Sequence, residues 1–323
     1  MFRFSLNTSS TAQSFFTKSM DPITVFPHQA LDSSQIHGDV SGILEPIDSF
    51  MDYINKRKIK RFYVERSYAM GDILLLVPII RELKRQGYDV CVRTTRAWFP
   101  VLDLLDIEMQ MKEQNPYSTD WGINLDGILE QDHSVRMFSE MHRCDIYAKA
   151  LGMDRIKKLD WSIDSKKLPD LFGKSSYIVF QHKGSTAKKH LPISTGRWIV
   201  NAIEKNIAPV IQIGDEKRLT IKELFATIAQ ASCLICMDSS PLWISHFTQT
   251  PIISLLGPTR ESERLTRHPL YPKKAIGIQL NKEINCPSCF EQTRKCNSRV
   301  DCLRIEPERI WNLIHPHIEK FWR

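Results

Sequence analysis

"CLICMDSSPLWISHFTQTPIISLLG" occupies residues 233–257 and joins two short apolar runs through a polar turn and a helical stretch. Short apolar runs that alternate with helices predict parallel strands connected by crossover helices. Such strands are buried on both faces of the sheet, which explains why the two runs contain few polar side chains. The segment therefore predicts an α/β fold with a parallel sheet.

The same alternation extends in both directions and divides the chain into two halves. The first half begins with the strand "RFYVE" (61–65), followed by an apolar helix that ends at Gly87. The second half begins at "SYIVFQHKG" (176–184) and closes with a helix over 306–322, interrupted by Pro316. Further elements are predicted at "YDVCVRT" (88–94), near 194–205, at "PVIQIG" (209–214) and near 220–231, whereas 95–165 has no clear pattern. We therefore predict two Rossmann-like domains.

The domain boundaries follow from this division. Residues 1–55 contain Ser, Thr, Pro and Gly with little periodicity, which predicts a flexible extension, although "ILEPIDSFMDYINKRK" (43–58) suits one amphipathic helix. Residues 56–170 form the first domain, and residues 171–323 form the second with a four-cysteine insert at 286–302. Ligands of such folds bind at the carboxyl ends of the strands, so the loops that follow strands are the candidate functional sites.

Composition and charge limit the class of protein. With 42% apolar and 25% charged residues, the chain is globular and able to bury a sizeable core. Its net charge of +7 suits an anionic ligand such as a nucleotide, or an anionic membrane surface. Basic and acidic residues alternate along most of the chain, which argues against nucleic acid as a partner. The longest apolar run, "ILLLVPII", has eight residues and is too short to span a membrane.

The N-terminus bears on the compartment. Residues 1–20 are rich in Ser and Thr and contain no acidic residue. They resemble an organelle transit peptide weakly, and a disordered tail is the simpler interpretation. They contain no apolar core of a secretory signal, so we expect a reducing, cytoplasmic location. The cysteines are then expected to be thiols or metal ligands rather than disulfides.

The first loop suited to chemistry is "SYAMGD" (67–72). Gly71 allows a tight turn, and Asp72 falls at the start of the predicted helix. A carboxylate there is able to act on a bound substrate, but it is also a favourable helix cap.

Two further loops follow predicted strands of the second half. "QHKGSTAKKHLP" (181–192) combines hydroxyls and lysines after a glycine, which suits a phosphate group, although a solvated basic loop has the same composition. In "MDSSPLW" (237–243), Ser239 and Ser240 suit either an anion at a helix N-terminus or an ordinary N-cap. Asp238 suits hydrogen bonds from sugar hydroxyls.

Taken in order, these segments resemble glycosyltransferase family 9, the lipopolysaccharide heptosyltransferase family. The resemblance rests on "SYAMGDILLLVPIIRELK", "STAKKHLP", "MDSSPLWISHFTQTPIISLLGPT" and the four-cysteine stretch followed by "RIEPERI", and it covers roughly residues 60 to 315. It implies a GT-B architecture, in which two Rossmann-like domains face each other across a cleft and the last helix crosses back to the first domain. It also implies inverting transfer of a sugar, typically a heptose from ADP-heptose, to a glycolipid or other glycan acceptor in lipopolysaccharide biosynthesis, with contact at the inner face of the membrane.

The resemblance assigns roles to residues of this chain by position. Asp72 matches the catalytic base, and Met70 and Gly71 lie in the same substrate-binding turn. Lys189, in "KHLP", matches the lysine that binds the donor diphosphate, and Leu191 replaces the usual Trp.

Further donor contacts are implied in the second half. They are Ser185, Thr186, Asp238, Ser239 and Ser240. Ser240 stands where the family usually has Gly, and Trp243 stands where it usually has His. An inverting transfer needs a carboxylate to remove the acceptor proton and positive charge on the departing diphosphate. No Asp-x-Asp occurs in the chain, so we expect catalysis without a metal cofactor.

Four cysteines in "CPSCFEQTRKCNSRVDC" (286–302) are spaced C-x2-C-x6-C-x5-C. Thiolates at such spacing suit tetrahedral zinc or iron, and four free thiols are the alternative. The spacing is tighter than in the usual two-knuckle ribbon, and no aromatic-basic surface accompanies it. Because such a cluster recurs before the terminal helix in the family that the chain resembles, the resemblance implies a staple for this loop, and we predict a structural metal with the ligands Cys286, Cys289, Cys296 and Cys302. Cys233 and Cys236 fall on a predicted strand and are expected in the core.

Two other classes of protein stay open at this point. A non-catalytic GT-B protein that binds a nucleotide sugar or a glycan is favoured by Ser240 and Trp243, whereas Asp72 argues against it. A nucleic-acid-binding metal ribbon is disfavoured by the dispersed charge.

Overall fold

The computed structural model divides the chain into two compact units. The first comprises Met1–Phe138 and Arg143–Asp160, and the second comprises Ser139–His142 and Trp161–Arg323. The junction at 160/161 therefore lies before the expected boundary at 170/171. The structure describes residues 49–112, 121–129, 141–173, 175–184, 186, 189–214, 219–286 and 301–322, together with five short strands between residues 4 and 47.

The first unit has a mixed sheet. Its strands are β1 (Phe4–Leu6), β2 (Gln13–Phe16), β3 (Pro22–Val25), β4 (Gln29–Asp32), β5 (Glu45–Ile47), β6 (Arg61–Glu65), β7 (Asp89–Thr94), β8 (Met109–Met111) and β9 (Trp121–Asn124). Its helices are α1 (Phe50–Lys56), α2 (Met70–Arg85), α3 (Phe99–Leu104) and α4 (Arg143–Leu151). Seven strands form the sheet in the order β5-β1-β4-β9-β6-β7-β8, and β2 pairs with β3 apart from it.

The strand order of this sheet reverses beside β6. The strands β4, β9, β6, β7 and β8 are parallel, and β1 is antiparallel to both of its neighbours. The chain adds β7 and β8 on one side of β6 and then adds β9 on the other side. The loops that leave β6 and β9 therefore diverge at a topological switch point, which is where open parallel sheets bind their ligands.

Part of the segment expected to be a flexible extension pairs with this sheet. Gln29 of β4 lies opposite Gly122 of β9, and Ala30 is fully buried. The Gln29 side-chain amide donates a hydrogen bond of 3.1 Å to the carboxylate of Glu65. The helix suggested over 43–58 is shorter and spans Phe50–Lys56. Pairing with a distant strand orders β4, and local composition carries no signal for such pairing.

A carboxylate is buried at the carboxyl end of β6. Glu65 is 2% exposed and forms an ion pair with the fully buried guanidinium of Arg93. The Asn124 amide donates to it at 3.0 Å, and the ammonium nitrogen of Lys112 lies 3.3 Å away. Each buried charge here has an opposite charge and hydrogen bonds, which offset the desolvation penalty of burying ions at the end of the sheet.

The second unit is built on a fully parallel sheet. Its strands are β10 (Ile178–Gln181), β11 (Val210–Gln212), β12 (Cys233–Met237), β13 (Ile252–Leu256) and β14 (Ala275–Gln279). Its helices are α5 (Ile193–Asn206), α6 (Ile221–Ala229), α7 (Ser240–Thr248), α8 (Glu261–Arg264) and α9 (Pro307–Trp322). The strand order is β11-β10-β12-β13-β14, so the switch point lies between β10 and β12. The β-α-β unit predicted over 233–257 is confirmed, and Cys233 and Cys236 are fully buried in it.

The last helix, α9, belongs to the core of the second unit. Its buried residues are spaced for one helical face: Ile310, Ile314, Ile318 and Phe321. They pack in one cluster with residues of α5, β12 and β13. The predicted interruption at Pro316 is wrong, because the helix continues through this exposed residue. The buried residues on either side of it hold the helix together despite the missing N–H donor. Among the helices that the structure describes, none is long and apolar enough to cross a membrane.

We expect Glu65→Leu to lower the free energy of unfolding by about 3–5 kcal/mol, because it leaves Arg93 buried without its counter-charge. Urea unfolding of the full chain measures this change. Arg85→Gln is the matched control, because it breaks the solvent-exposed ion pair with Glu82 and should leave the unfolding midpoint in place. A Glu65→Leu protein as stable as the control would show that the buried pair contributes little.

Candidate active site

The loop between β6 and α2 holds Asp72 at the switch point of the first unit. Ala69 is the N-cap of α2, so Asp72 lies in the first turn of the helix rather than at the cap. Its carboxylate forms an ion pair with Arg66, whose side chain is fully buried, while that of Asp72 is 20% exposed. Arg66 also donates to the carbonyl oxygen of Leu125 at 3.2 Å, just beyond β9. Asp72 is therefore a partly exposed carboxylate in a fixed position.

The backbone before Asp72 is held in an unusual conformation. Ala69 has φ 53° and ψ 127°, a region that favours glycine. Both backbone polar groups of Ser67, two residues before Ala69, form hydrogen bonds. Its N–H donates to Asp126 at 2.7 Å, and its carbonyl oxygen accepts from the Trp98 indole at 3.0 Å. Gly71 is buried in the first turn of α2. These contacts fix the entry of α2 and hence the place of the carboxylate.

The second unit brings three charged side chains together at its own switch point. Asp238 directly follows β12, Lys189 lies in the loop after β10, and Arg264 ends α8, after β13. The guanidinium of Arg264 binds both oxygens of Asp238, with Nε to Oδ1 at 2.7 Å and Nη2 to Oδ2 at 2.9 Å. The Lys189 ammonium nitrogen is 3.1 Å from Oδ2 of the same carboxylate. All three side chains are nearly buried, with exposures of 5%, 11% and 5% for Asp238, Lys189 and Arg264.

The charge on Asp238 is set by these partners. Burial by itself would raise the pKa of Asp238, but attraction to Arg264 and Lys189 and their hydrogen bonds outweigh burial and hold that pKa well below its usual range. Asp238 is therefore ionised throughout the physiological range. Both of its oxygens face cations.

The loop that carries Lys189 closes tightly on itself. The Lys189 N–H donates to the carbonyl oxygen of Thr186 at 2.9 Å. A Cβ atom at Gly184 would lie 2.3 Å from Cβ and 2.6 Å from the carbonyl oxygen of Lys189, so only glycine fits there. Thr186 is exposed on this loop. Ser185, also expected in the site, lies outside the described residues.

The two serines at the start of α7 do not form an ordinary N-cap. Ser239 is the N-cap of α7, but its hydroxyl donates at 2.6 Å to the side-chain oxygen of Gln181, at the end of β10, and caps no backbone N–H. Ser240 is the first residue of the helix and is partly exposed. The loops after β10 and β12 are thus joined by a side-chain hydrogen bond as well as by the Lys189–Asp238 ion pair.

Sequence reasoning missed Arg66 and Arg264. Arg264 completes the pairing of Asp238, and Arg66 pairs with Asp72. A usable signal was present, because a carboxylate at the end of a buried strand needs a nearby cation. Each arginine follows a strand of the sheet that also leads to its carboxylate: Arg66 follows β6, and Arg264 ends α8, after β13.

Aromatic and histidine side chains pack beside Arg264. The Trp243 ring lies 5.8 Å from the Arg264 guanidinium carbon, and His142 Nε2 lies 3.3 Å from the Arg264 carbonyl oxygen. His246 packs between His142 and His268, with ring centroids 5.9 Å and 4.6 Å away. Burial lowers the pKa of His246 well below its usual value, and it lowers the pKa of His268 to about 4. Both histidines are therefore neutral at physiological pH.

Only part of the predicted metal site lies within the described residues. Cys302 is 4% exposed in the core of the second unit, and Cys286 is partly buried, with its carbonyl oxygen accepting from the Asn281 amide at 2.7 Å. Cys289 and Cys296 lie outside the described residues. Within the described parts of the chain, no group of three or more His, Cys, Asp or Glu residues is placed to hold a metal ion.

Solved structures with the same architecture are glycosyltransferases. The iron-containing dodecameric glycosyltransferase TibC from enterotoxigenic E. coli matches with a TM-score of 0.60 and 12% identity, over 99% of this chain and 91% of that chain. A family 9 glycosyltransferase from Veillonella parvula matches with a TM-score of 0.56 and 12% identity, over 81% and 98%. E. coli heptosyltransferase WaaC, solved with ADP, matches with a TM-score of 0.53 and 11% identity, over 80% and 98%. The two α/β units are therefore the Rossmann-like domains of the GT-B fold.

A family model also matches part of the chain. Residues 141–298, just under half of the chain, match glycosyltransferase family 9 (heptosyltransferase). This match agrees with the family that the sequence motifs resemble. No curated protein sequence matches it.

We expect the second unit to lose stability in acid. The pKa of His268 is about 4 in the folded state and about 6.5 in the unfolded state, so below pH 6.5 protons bind the unfolded chain preferentially. This costs about 3 kcal/mol by pH 4, where the effect levels off.

His268→Asn tests this assignment. Its amide oxygen can accept the 3.0 Å hydrogen bond that Nδ1 of His268 receives from Leu270 N–H, so the packing should survive. The unfolding free energy of this variant, measured by urea titration between pH 7.5 and 4, should fall less steeply than that of the wild type. Parallel curves would assign the acid sensitivity to other groups.

Proposed function

We propose that this protein is an inverting glycosyltransferase that moves a sugar from a nucleoside-diphosphate sugar to a hydroxyl of a glycan or glycolipid acceptor. The observation that carries the proposal is the placement of Lys189, a nearly buried cation at the switch point of a fully parallel sheet. A cation there suits the diphosphate of a nucleotide ligand. ADP-heptose is the proposed donor, because the family model is that of heptosyltransferases and TibC has been solved with ADP-D-β-D-heptose.

The proposed reaction has one displacement step. The acceptor oxygen forms a bond to the anomeric carbon while the bond from that carbon to the diphosphate oxygen breaks, which inverts the configuration. The acceptor proton passes to the carboxylate of Asp72, and the nucleoside diphosphate leaves with the bonding electrons. The partial exposure of Asp72 supports its role as general base, because a base must be within reach of its substrate.

The leaving group needs positive charge as the bond breaks. We propose that the ammonium of Lys189 binds the diphosphate and that N–H groups at the start of α7, near Ser239 and Ser240, assist it. Thr186, Ser185 and the turn at Met70 and Gly71 are the proposed further substrate contacts. The acceptor is a glycolipid or glycan, and a glycolipid acceptor would place the protein at the inner face of a membrane.

A structural metal is the last part of the proposal. Four thiols spaced as Cys286, Cys289, Cys296 and Cys302 suit tetrahedral iron or zinc, and TibC, which has the same fold, is iron-containing. The metal would hold the segment between β14 and α9, which offers few apolar side chains for packing. It takes no part in the transfer step.

Asp72→Asn should lower the rate of sugar transfer by about 10²–10⁴-fold, because Asn cannot accept the acceptor proton. The dissociation constant for ADP should stay near the wild-type value, because Asp72 belongs to the first unit, whereas Lys189 and the start of α7, proposed to bind the diphosphate, belong to the second. Turnover of ADP-heptose with a glycan acceptor and ADP titration measure the two effects. A variant that keeps more than about a tenth of the activity would contradict the assignment of the base.

Lys189→Ala should weaken donor binding and lower turnover together, by about 10²-fold overall, because it removes charge from the diphosphate. Lys183→Ala is the control in the same loop: it removes the same charge on the other side of Gly184 and should have a much smaller effect. Steady-state kinetics on both variants distinguish a specific phosphate site from general attraction by a basic loop. Small and equal effects would rule out the site.

Protein purified without chelators should contain about one equivalent of iron or zinc per chain, measured by elemental analysis. Replacing both Cys289 and Cys296 with Ser should remove the metal, and Cys91→Ser, in the first unit, should retain it. A folded, active wild-type protein with well under half an equivalent of metal would contradict the proposed ligands.

A further inference from the structure

Asp238 connects two cations that approach it from different loops. Its Oδ2 atom is 2.9 Å from Nη2 of Arg264 and 3.1 Å from Nζ of Lys189, and its Oδ1 atom is 2.7 Å from Nε of Arg264. The carboxylate is only 5% exposed. The Asp238 carboxylate therefore binds cations directly. The orientation of the carboxylate plane decides where the Lys189 ammonium is held.

Arg264 fixes that rotation. A guanidinium that binds both oxygens of a carboxylate through Nε and Nη2 holds the carboxylate plane, which a single ammonium cannot do. Without Arg264, Lys189 would be the cation closest to a buried negative charge, and the two would draw together. The ammonium would then be less available to a second anion.

Several contacts hold Arg264 itself in place. Nη1 lies 3.3 Å from the carboxylate of Glu263, which is almost fully buried, and the Trp243 ring faces the guanidinium. The His142 ring contacts the Arg264 carbonyl oxygen. Arg264 is therefore a rigid support rather than a mobile surface cation.

We propose that Arg264 is the positioning residue of the donor site: by binding both oxygens of Asp238, it orients the Lys189 ammonium for the diphosphate of a nucleoside-diphosphate sugar. This inference rests on the proposed function, because it requires Lys189 to bind that diphosphate. An ammonium has three N–H donors, so it binds a carboxylate and a phosphate oxygen at the same time. The role of Arg264 in binding is thus exerted through Lys189.

ADP is the probe, because it carries the diphosphate and needs no acceptor. Its dissociation constant is measured by calorimetry on the full chain for the wild type, Arg264→Gln, Lys189→Ala and the double variant. We expect Arg264→Gln to weaken ADP binding about tenfold, in the range seen when groups that orient a ligating side chain are removed. Lys189→Ala should weaken it by about 10²-fold.

The double variant separates positioning from general damage. If Arg264 acts through Lys189, Arg264→Gln should cause no further loss once Lys189 is Ala, so the two effects are not additive. If the loss of Arg264 merely distorts the unit, it should weaken binding by a similar factor in both backgrounds. Arg264→Lys should restore part of the affinity, since an ammonium retains the charge but not the two-oxygen contact.

Two controls address charge and folding. Arg197→Gln removes one positive charge from the exposed face of α5 and should leave the ADP dissociation constant within about twofold of the wild type. Should Arg264→Gln fail to fold, Asp238→Asn combined with Arg264→Gln removes both charges and keeps polar side chains of similar shape. That variant should fold and bind ADP about tenfold more weakly, because Lys189 has lost its oriented carboxylate.

The outcomes separate this inference from the proposed function. A wild-type protein that does not bind ADP would overturn both. If Lys189→Ala weakens ADP binding while Arg264→Gln leaves it unchanged, the proposed donor site stands and the role of Arg264 is wrong. Additive losses in the double variant would also overturn the positioning role, and a non-additive cycle with partial rescue by Lys would support it.

Discussion

A carboxylate removed from water needs opposite charge, and this requirement organises both units of the protein. In the first unit, Glu65 is buried at the end of β6 against Arg93, and in the second, Asp238 is buried just after β12 against Arg264. Each arginine lies on a different segment from its carboxylate, so each pair connects one strand end to another part of the same unit. The loops at these strand ends are therefore held in place by charge as well as by the backbone.

The position of these pairs follows from the order of the strands. The chain turns back past β6 in the first sheet and past β10 in the second, so two loops diverge at the carboxyl edge of each. Asp72 lies at one such edge and Lys189 at the other. A parallel sheet must bury both faces, and its strand ends are then the natural place for polar groups that are fixed but still reach solvent. That is the environment that the proposed general base and the proposed phosphate-binding cation require.

The residues at positions singled out by the family resemblance have identifiable partners in the structure. Asp238, at a position implied to contact the donor, has Arg264 and Lys189 at its two oxygens. Leu191, in place of the usual Trp, is 1% exposed and belongs to the core cluster of the second unit. Trp243, in place of the usual His, is buried beside Arg264. Leu191 and Trp243 thus pack around the site, whereas Asp72 and Lys189 keep the residue types of the family pattern, and the third departure, Ser240, lies at the start of α7.

The α/β class, the two halves, and most strands and helices of the second unit follow from the sequence alone, because apolar runs and turn residues act locally. The sequence also identified the loops that follow strands. Only the tertiary structure decided that β4 joins the first sheet, that α9 continues through Pro316, and that Arg66 and Arg264 pair with Asp72 and Asp238. These features depend on contacts between residues far apart in the chain or on burial by the surrounding core. The local sequence pattern does not predict such contacts, because a charge that is solvated in the unfolded chain acquires its partner only when folding removes both from water.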